Sequence, residues 1–273
     1  MSSVRSMTDG SPGKLIISFA LPLMIGNLFQ QFYTIADAAI VGQVLGVSAI
    51  AAVGAAEWII WMIQGIIQGF TQGFSIQMAH EFGARDYKRL RNVIVNSAFL
   101  AAISAFVLLA AGQVLAKWLL GVLNTPDAVF AEASLYIRTM FWGIPVVMAY
   151  NLFAGVLRSL GDGKTPLYAM VFASILNVVL DLLFVPVLHM GVFGAAAATV
   201  IAQLCSGVFC FVKIIRIEML KFNREDCTLS GALQLRLLNL GMPMAFQNTV
   251  ISVGGMIVQF VINGFGVEFI AGF

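Results

Sequence analysis

Two acids stand in stretches of this sequence that otherwise read as hydrocarbon. One is Asp37, inside "QQFYTIADAAIVG" (30–42); the other is Asp181, closing "NVVLD" (177–181). Asn177 and Asp181 are four residues apart, a spacing that puts both side chains on one face of a helix. Gln30 and Tyr33 precede Asp37 by seven and four residues and so share its face. Carboxylates and carboxamides so placed are hard oxygen donors, suited to a proton, a sodium ion or a polar ligand. Two carboxylates in one dry pocket cannot both ionise comfortably, and a shared proton or a bound sodium ion would settle that conflict. The zinc alternative lacks ligands: the chain has two histidines, His80 and His189, both in or near loops. A membrane-embedded metalloenzyme is therefore not expected, nor any cofactor beyond a coupling ion.

The rest of the chain has to hold these acids. Hydrophobic residues make up 60% of the sequence and charged residues 10%, against about 25% charged in a soluble domain, and the mean hydropathy is +0.95. Such a chain is solvated by a bilayer. Seven apolar runs are long enough to span one, roughly 15–46, 48–79, 93–120, 133–157, 166–188, 192–215 and 237–265. The expected fold is an all-α polytopic membrane protein of about seven transmembrane helices. Of the 15 Lys and Arg, all but Lys117 and Arg138 fall in the N-terminus or in the even-numbered links, which places the N-terminus in the cytoplasm. Trp58, Trp61, Trp118 and Trp142 are expected near the outer interface, and Glu57 and Arg138 are expected to snorkel there. Net charge is +2, which gives no reason to expect a nucleic-acid partner. Cys205, Cys210 and Cys227 form no disulfide framework.

In this setting an ionised Asp at mid-membrane costs roughly 2.5–3.5 kcal/mol, so such acids face a bundle interior and mark ion paths. A competing reading puts Asp37 at the outer interface: it stands 23 residues past Lys14, about 34 Å along a helix. Pro22 removes a hydrogen bond inside the first span and is expected to kink or loosen it. The abundant Phe and Met, 22 and 13 residues, could line an adaptable cavity, though most such side chains face lipid or pack. "GDGKT" (161–165) resembles the end of a phosphate-binding loop, but Arg158 stands where that pattern needs glycine, and a cytoplasmic turn is expected. A weak internal repeat aligns "FALPLMIGN" (19–27) with "LGMPMAFQN" (240–248), pairing Pro22 with Pro243 and Asn27 with Asn248. Repeats of six helices in parallel orientation are a common transporter plan.

Four stretches taken together resemble the multidrug and toxic compound extrusion (MATE) family: "FALPLMIGNLFQQFYTIADAAIVGQVLGVSAIAAVG" (19–54), "FGARDYKRLR" (82–91), "GVLRSLGDGKTP" (155–166) and "GVFGAAAATVIAQ" (191–203). The resemblance implies two six-helix lobes around a central cavity, with export driven by inward flow of protons or sodium. It implies an N-lobe cation site at Asp37, Asn177 and Asp181. Gln30, Tyr33, Asn151 and Thr199 are then polar lobe-interior positions that could meet cation or drug. No acid stands in the seventh span, where Val258 replaces a repeat of Asp37, so coupling is expected in the N-lobe alone.

The implied organisation is a cytoplasmic N-terminus (1–14), a six-helix lobe (15–215), a cytoplasmic linker (216–236) and the first helix of an incomplete second lobe (237–273), the missing lobe being the expected partner. The implied activity is export of drugs and toxic organic cations from a bacterial-type inner membrane. A lipid-linked saccharide flippase of the same superfamily is the first rival. Its anionic substrate calls for bases inside the cavity, whereas the sequence shows acids mid-span and bases near the ends. A non-transporting fragment is the second.

Overall fold

The computed structural model describes residues 11–221 and 228–272, so Arg5, Arg224 and Cys227 lie outside the described residues, as does the side chain of Lys14. Nine α-helices follow one another among the described residues: α1 (Pro12–Leu45), α2 (Val47–Gly83), α3 (Tyr87–Val122), α4 (Asp127–Trp142), α5 (Ile144–Ser159), α6 (Lys164–Phe184), α7 (Gly191–Ile215), α8 (Gly231–Asn263) and α9 (Val267–Gly272). Among the described residues six are long and apolar enough to cross a bilayer, and α4 with α5, taken together as one bent span, brings the number to seven. The seven apolar runs of the sequence all reappear. The observed helices extend most of them by several residues, because polar residues near a water interface can stay helical.

The fourth span is broken where the sequence gives "WGIP" (142–145). α4 and α5 meet at 45° about Gly143. Pro145 has no N–H to give the preceding turn and its ring crowds the carbonyl four residues back. Gly143 keeps the bend tight against α7: a Cβ there would lie 2.5 Å from Val200 Cγ2. Pro22, by contrast, lies within α1 with no break in the helix.

α2 is the hub of the bundle, packing on α1, α3, α4, α5 and α8. Ile59, Ile67, Phe74 and Met78 of α2 join Leu90, Ile137, Phe141, Met148 and Leu157 in the fully buried core. The large apolar side chains of α1, such as Ile16, Leu21, Phe32 and Ile35, are exposed instead, as lipid-facing positions should be. Since lipid is as apolar as these side chains, helix association rests on close packing and interhelical hydrogen bonds.

The α2–α8 seam shows both. Gly65, Gly69 and Gly73 recur every fourth residue on α2. A Cβ on Gly69 would lie 2.3 Å from the Ala245 backbone nitrogen, and one on Gly73 2.3 Å from Gly241 Cα. Asn248 Nδ2 donates to Gly65 O across the seam at 2.9 Å. Asn248 therefore ties two helices together, while its repeat mate Asn27 lines a cavity.

The link into α8 is shorter than the sequence suggests. Ser230 caps α8, its Oγ accepting from Leu233 N, so Arg236 stands inside the helix. Both ends of the described link are held by the first turns of α3. Arg91 Nη1 donates to Met219 O at 3.2 Å. Buried Asn96 donates to Thr228 O at 3.0 Å and accepts from Ser230 N at 3.0 Å. Asn92 Nδ2 adds bonds to Thr228 O and Oγ1 at 2.8 and 2.7 Å.

Candidate functional site

The "GDGKT" segment is a helix-starting turn. Gly161 takes φ +80°, and Asp162 accepts from Thr165 N at 3.0 Å and from Thr165 Oγ1 at 2.6 Å. That cap aims α6, and α6 carries the acidic end of the site. Asn177 and Asp181 are 1% and 0% exposed, one turn apart on its inward face. Asn177 Nδ2 donates to Thr199 Oγ1 of α7 at 3.3 Å.

α1 supplies the facing wall, with Asn27, Gln30, Tyr33 and Asp37 spaced along one stripe. Asp37 and Asp181 are close enough for their charges to interact. Tyr33 feels both, and so does Tyr136 of α4, a buried phenol that the sequence reading did not select. Asp37 thus faces the bundle rather than ending its helix: α1 continues to Leu45, and Asp37 Oδ1 is buried.

Four oxygens in this cluster, Asp37 Oδ1, Asn177 Oδ1 and both oxygens of Asp181, are buried and meet no donor. Buried acceptors are almost always satisfied, and leaving one bare costs about 1–3 kcal/mol, more when charged. An all-oxygen set of two carboxylates and an amide fits a proton or a sodium ion, with water completing the shell.

Beside the cluster lies a cavity of about 390 Å³. Every polar interior position singled out from the sequence (Gln30, Tyr33, Asn151, Thr199) lines it, as does Asn177. Asp37 and Asp181 are not among its lining residues, and Asp181 stands one turn beyond Asn177. Asn151 Nδ2 is spent on its own helix, donating to Val147 O at 2.9 Å.

The α2 wall is the part that sequence reading missed. Gln64, Gln68 and Gln72 line the cavity from successive turns. They interleave with the seam glycines in "QGIIQGFTQG" (64–73): one stripe presents amides to the cavity and the next presents bare backbone to α8. Among the described residues the lining is chiefly carboxamide and hydroxyl, with Met170 and no phenylalanine; Phe32, Phe106 and Phe172 are exposed. Arg158, placed by sequence among bases near helix ends, does close α5 but also lines the cavity.

The MatE family profile matches residues 22–183. A probable multidrug resistance protein, YpnP of Bacillus subtilis (strain 168), is 32% identical over 270 residues, covering 97% of this chain and 60% of the relative. A probable multidrug resistance protein NorM of Thermotoga maritima is 28% identical over 95% of this chain and 56% of its own. Among solved structures, a multidrug resistance MATE family transporter of the MOP superfamily in its outward-facing conformation superposes with TM-score 0.85 at 28% identity, over 93% of this chain and 56% of that one. The chain thus spans somewhat over half the length of the relatives it matches. A profile covering more than half of the sequence, with helices that superpose over nearly all of it, makes this multi-pass membrane protein a member of the MATE family.

Proposed function

We propose that this chain carries the cation-coupled half of a drug antiporter: a six-helix lobe over residues 15–215, with α8 opening a second lobe that completes the transporter. In this reading the assembly exports lipophilic, often cationic xenobiotics across a bacterial-type inner membrane in exchange for protons or sodium. The observation that carries it is the group of four bare acceptor oxygens on Asp37, Asn177 and Asp181, set beside a cavity of drug-binding size.

The coupling works through shared walls. Asn177 and Tyr33 line the cavity, Asn177 one turn before Asp181 on α6 and Tyr33 one turn before Asp37 on α1. A proton or sodium ion accepted at Asp37 and Asp181 removes their repulsion and lets α1 and α6 approach. That changes the cavity wall and so the affinity for drug. Such a ligand shifts the lobe between shapes only by its differential affinity for them, and a tenfold change in drug affinity needs about 1.4 kcal/mol.

The test is binding of rhodamine 123, a flat lipophilic cation, to the purified chain in detergent, read by fluorescence anisotropy. Dye affinity that shifts several-fold with sodium or pH in the wild type, but not in Asp37→Asn or Asp181→Asn, supports the reading. Binding indifferent to both cations, or absent, counts against it.

A further inference from the structure

Among the described residues, Arg158 is the one formal charge lining the cavity. It is half-buried, and no described residue gives it an ion pair or hydrogen bond. The neighbouring carboxylate, Asp162, is 2% exposed and already spends its oxygens on Thr165 N and Oγ1. A guanidinium inside a membrane bundle normally pairs with an acid or a carbonyl. The last turn of α5 gives it a helix C-terminus to sit against, worth about 0.3–1 kcal/mol, but its planar fork of donors stays free.

We infer that Arg158 is the anion-holding end of the cavity, pairing with the carboxylate of flat lipophilic cations that also carry one. This rests on the drug-binding reading above. Asn151 and Tyr150 lie two turns before Arg158 on α5 and line the same wall, so a ligand on the amides of α2 and α5 extends naturally to the guanidinium. The fork matches a carboxylate with two parallel N–H bonds, which an ester cannot accept with equal strength. At the other end the ligand's positive group points along α6 toward Asn177, with Asp181 one turn further. The cavity is therefore polarised, basic at the α5 terminus and acidic behind Asn177. That polarity selects molecules with both signs of charge over simple cations.

A matched pair of dyes tests this. Rhodamine 110 is a free carboxylic acid and rhodamine 123 its methyl ester, on the same ring system. The purified chain in uncharged detergent should bind the acid about tenfold more tightly than the ester, the size of a charge-assisted bond. Arg158→Ala and Arg158→Gln should bring the acid-to-ester ratio of affinities down to about one, and Arg158→Lys should fall between. Retained ester binding shows that the variants are folded, and the acid-to-ester ratio of the wild type needs no variant. Equal affinity of the wild type for both dyes, or equal weakening of both by Arg158→Ala, overturns the inference while leaving drug binding intact. Failure of the acid alone to bind the wild type overturns the inference, and failure of both dyes overturns the drug-binding reading with it.

Discussion

Asn177 and Asp181 stand one turn apart on α6, both buried, and none of their three carbonyl and carboxylate oxygens receives a hydrogen bond, while the Asn177 amide donates to Thr199. The amide group is thereby oriented with its nitrogen on α7, leaving its oxygen for whatever Asp181 holds. Buried acceptors left bare in this way cost stability.

Asp181→Asn should therefore stabilise the chain. The change removes a buried ionisable group without a partner and keeps its shape. An increase of about 1–3 kcal/mol is expected, read as a higher melting temperature in detergent at neutral pH. Comparing sodium with choline chloride then identifies the coupling ion. Protection by sodium alone marks a sodium site and an effect of pH alone marks a proton site, and in either case Asp181→Asn should lose the response. Destabilisation by more than about 1 kcal/mol, with the cation response intact, would place the function elsewhere.

Gln68→Leu should weaken rhodamine 123 binding several-fold with little change in melting. It removes one amide from the middle of the α2 stripe and leaves Gly65, Gly69 and the α8 seam untouched. Unchanged affinity would mean that the α2 wall is not part of the binding surface.

Gly69→Val should be far more damaging than its place in an apolar run suggests. Its Cβ would meet Ala245 backbone nitrogen and Cα at 2.3 and 2.4 Å, and backbone cannot step aside as a side-chain tip can. A loss of about 1–3 kcal/mol or more is expected from overpacking, seen as a lower melting temperature. Gly83→Val, where a Cβ would meet nothing within 4 Å, is the control. Equal melting of the two variants would show that the seam is not close-packed.

Asn96→Ala should loosen the link between α7 and α8. Asn96 is 0% exposed and bonds Thr228, Ser230 and Gln234. Its loss removes a partner of the part-buried Thr228 O and Ser230 N, a cost of about 1 kcal/mol. Hydrogen–deuterium exchange should rise in 228–234 and stay level in α5. Uniform exchange across the chain would contradict the clamp.

The spans and the acid pair were legible because each depends on local facts: apolar run length, Lys and Arg placement, and a four-residue spacing that needs no knowledge of partners. The Gly143 break went unread within the single run 133–157: "GIP" joins a tight residue to a missing donor, but a composition window averages over it. The "QG" repeat was in plain view, yet its two stripes differ only in what faces them, cavity or α8, and α8 lies well over a hundred residues away. Asn96 had no local signal at all: its partners beyond α3 are 132 to 138 residues distant. Arg158 was read as a helix-end base, as it is, but its place on the cavity wall had no local signal, because a helix end can open onto a cavity as well as onto water.

The central claim is that Asp37 and Asp181 hold the coupling cation and exchange it when drug binds. The direct measurement is proton or sodium release from the purified chain in weakly buffered detergent on adding rhodamine 123, followed with a pH indicator and a sodium-selective electrode. The account predicts release proportional to dye bound in the wild type, and none in Asp37→Asn or Asp181→Asn at dye concentrations that still saturate the cavity. Equal release from wild type and both variants would contradict it, as would dye binding in the wild type with no release of either cation.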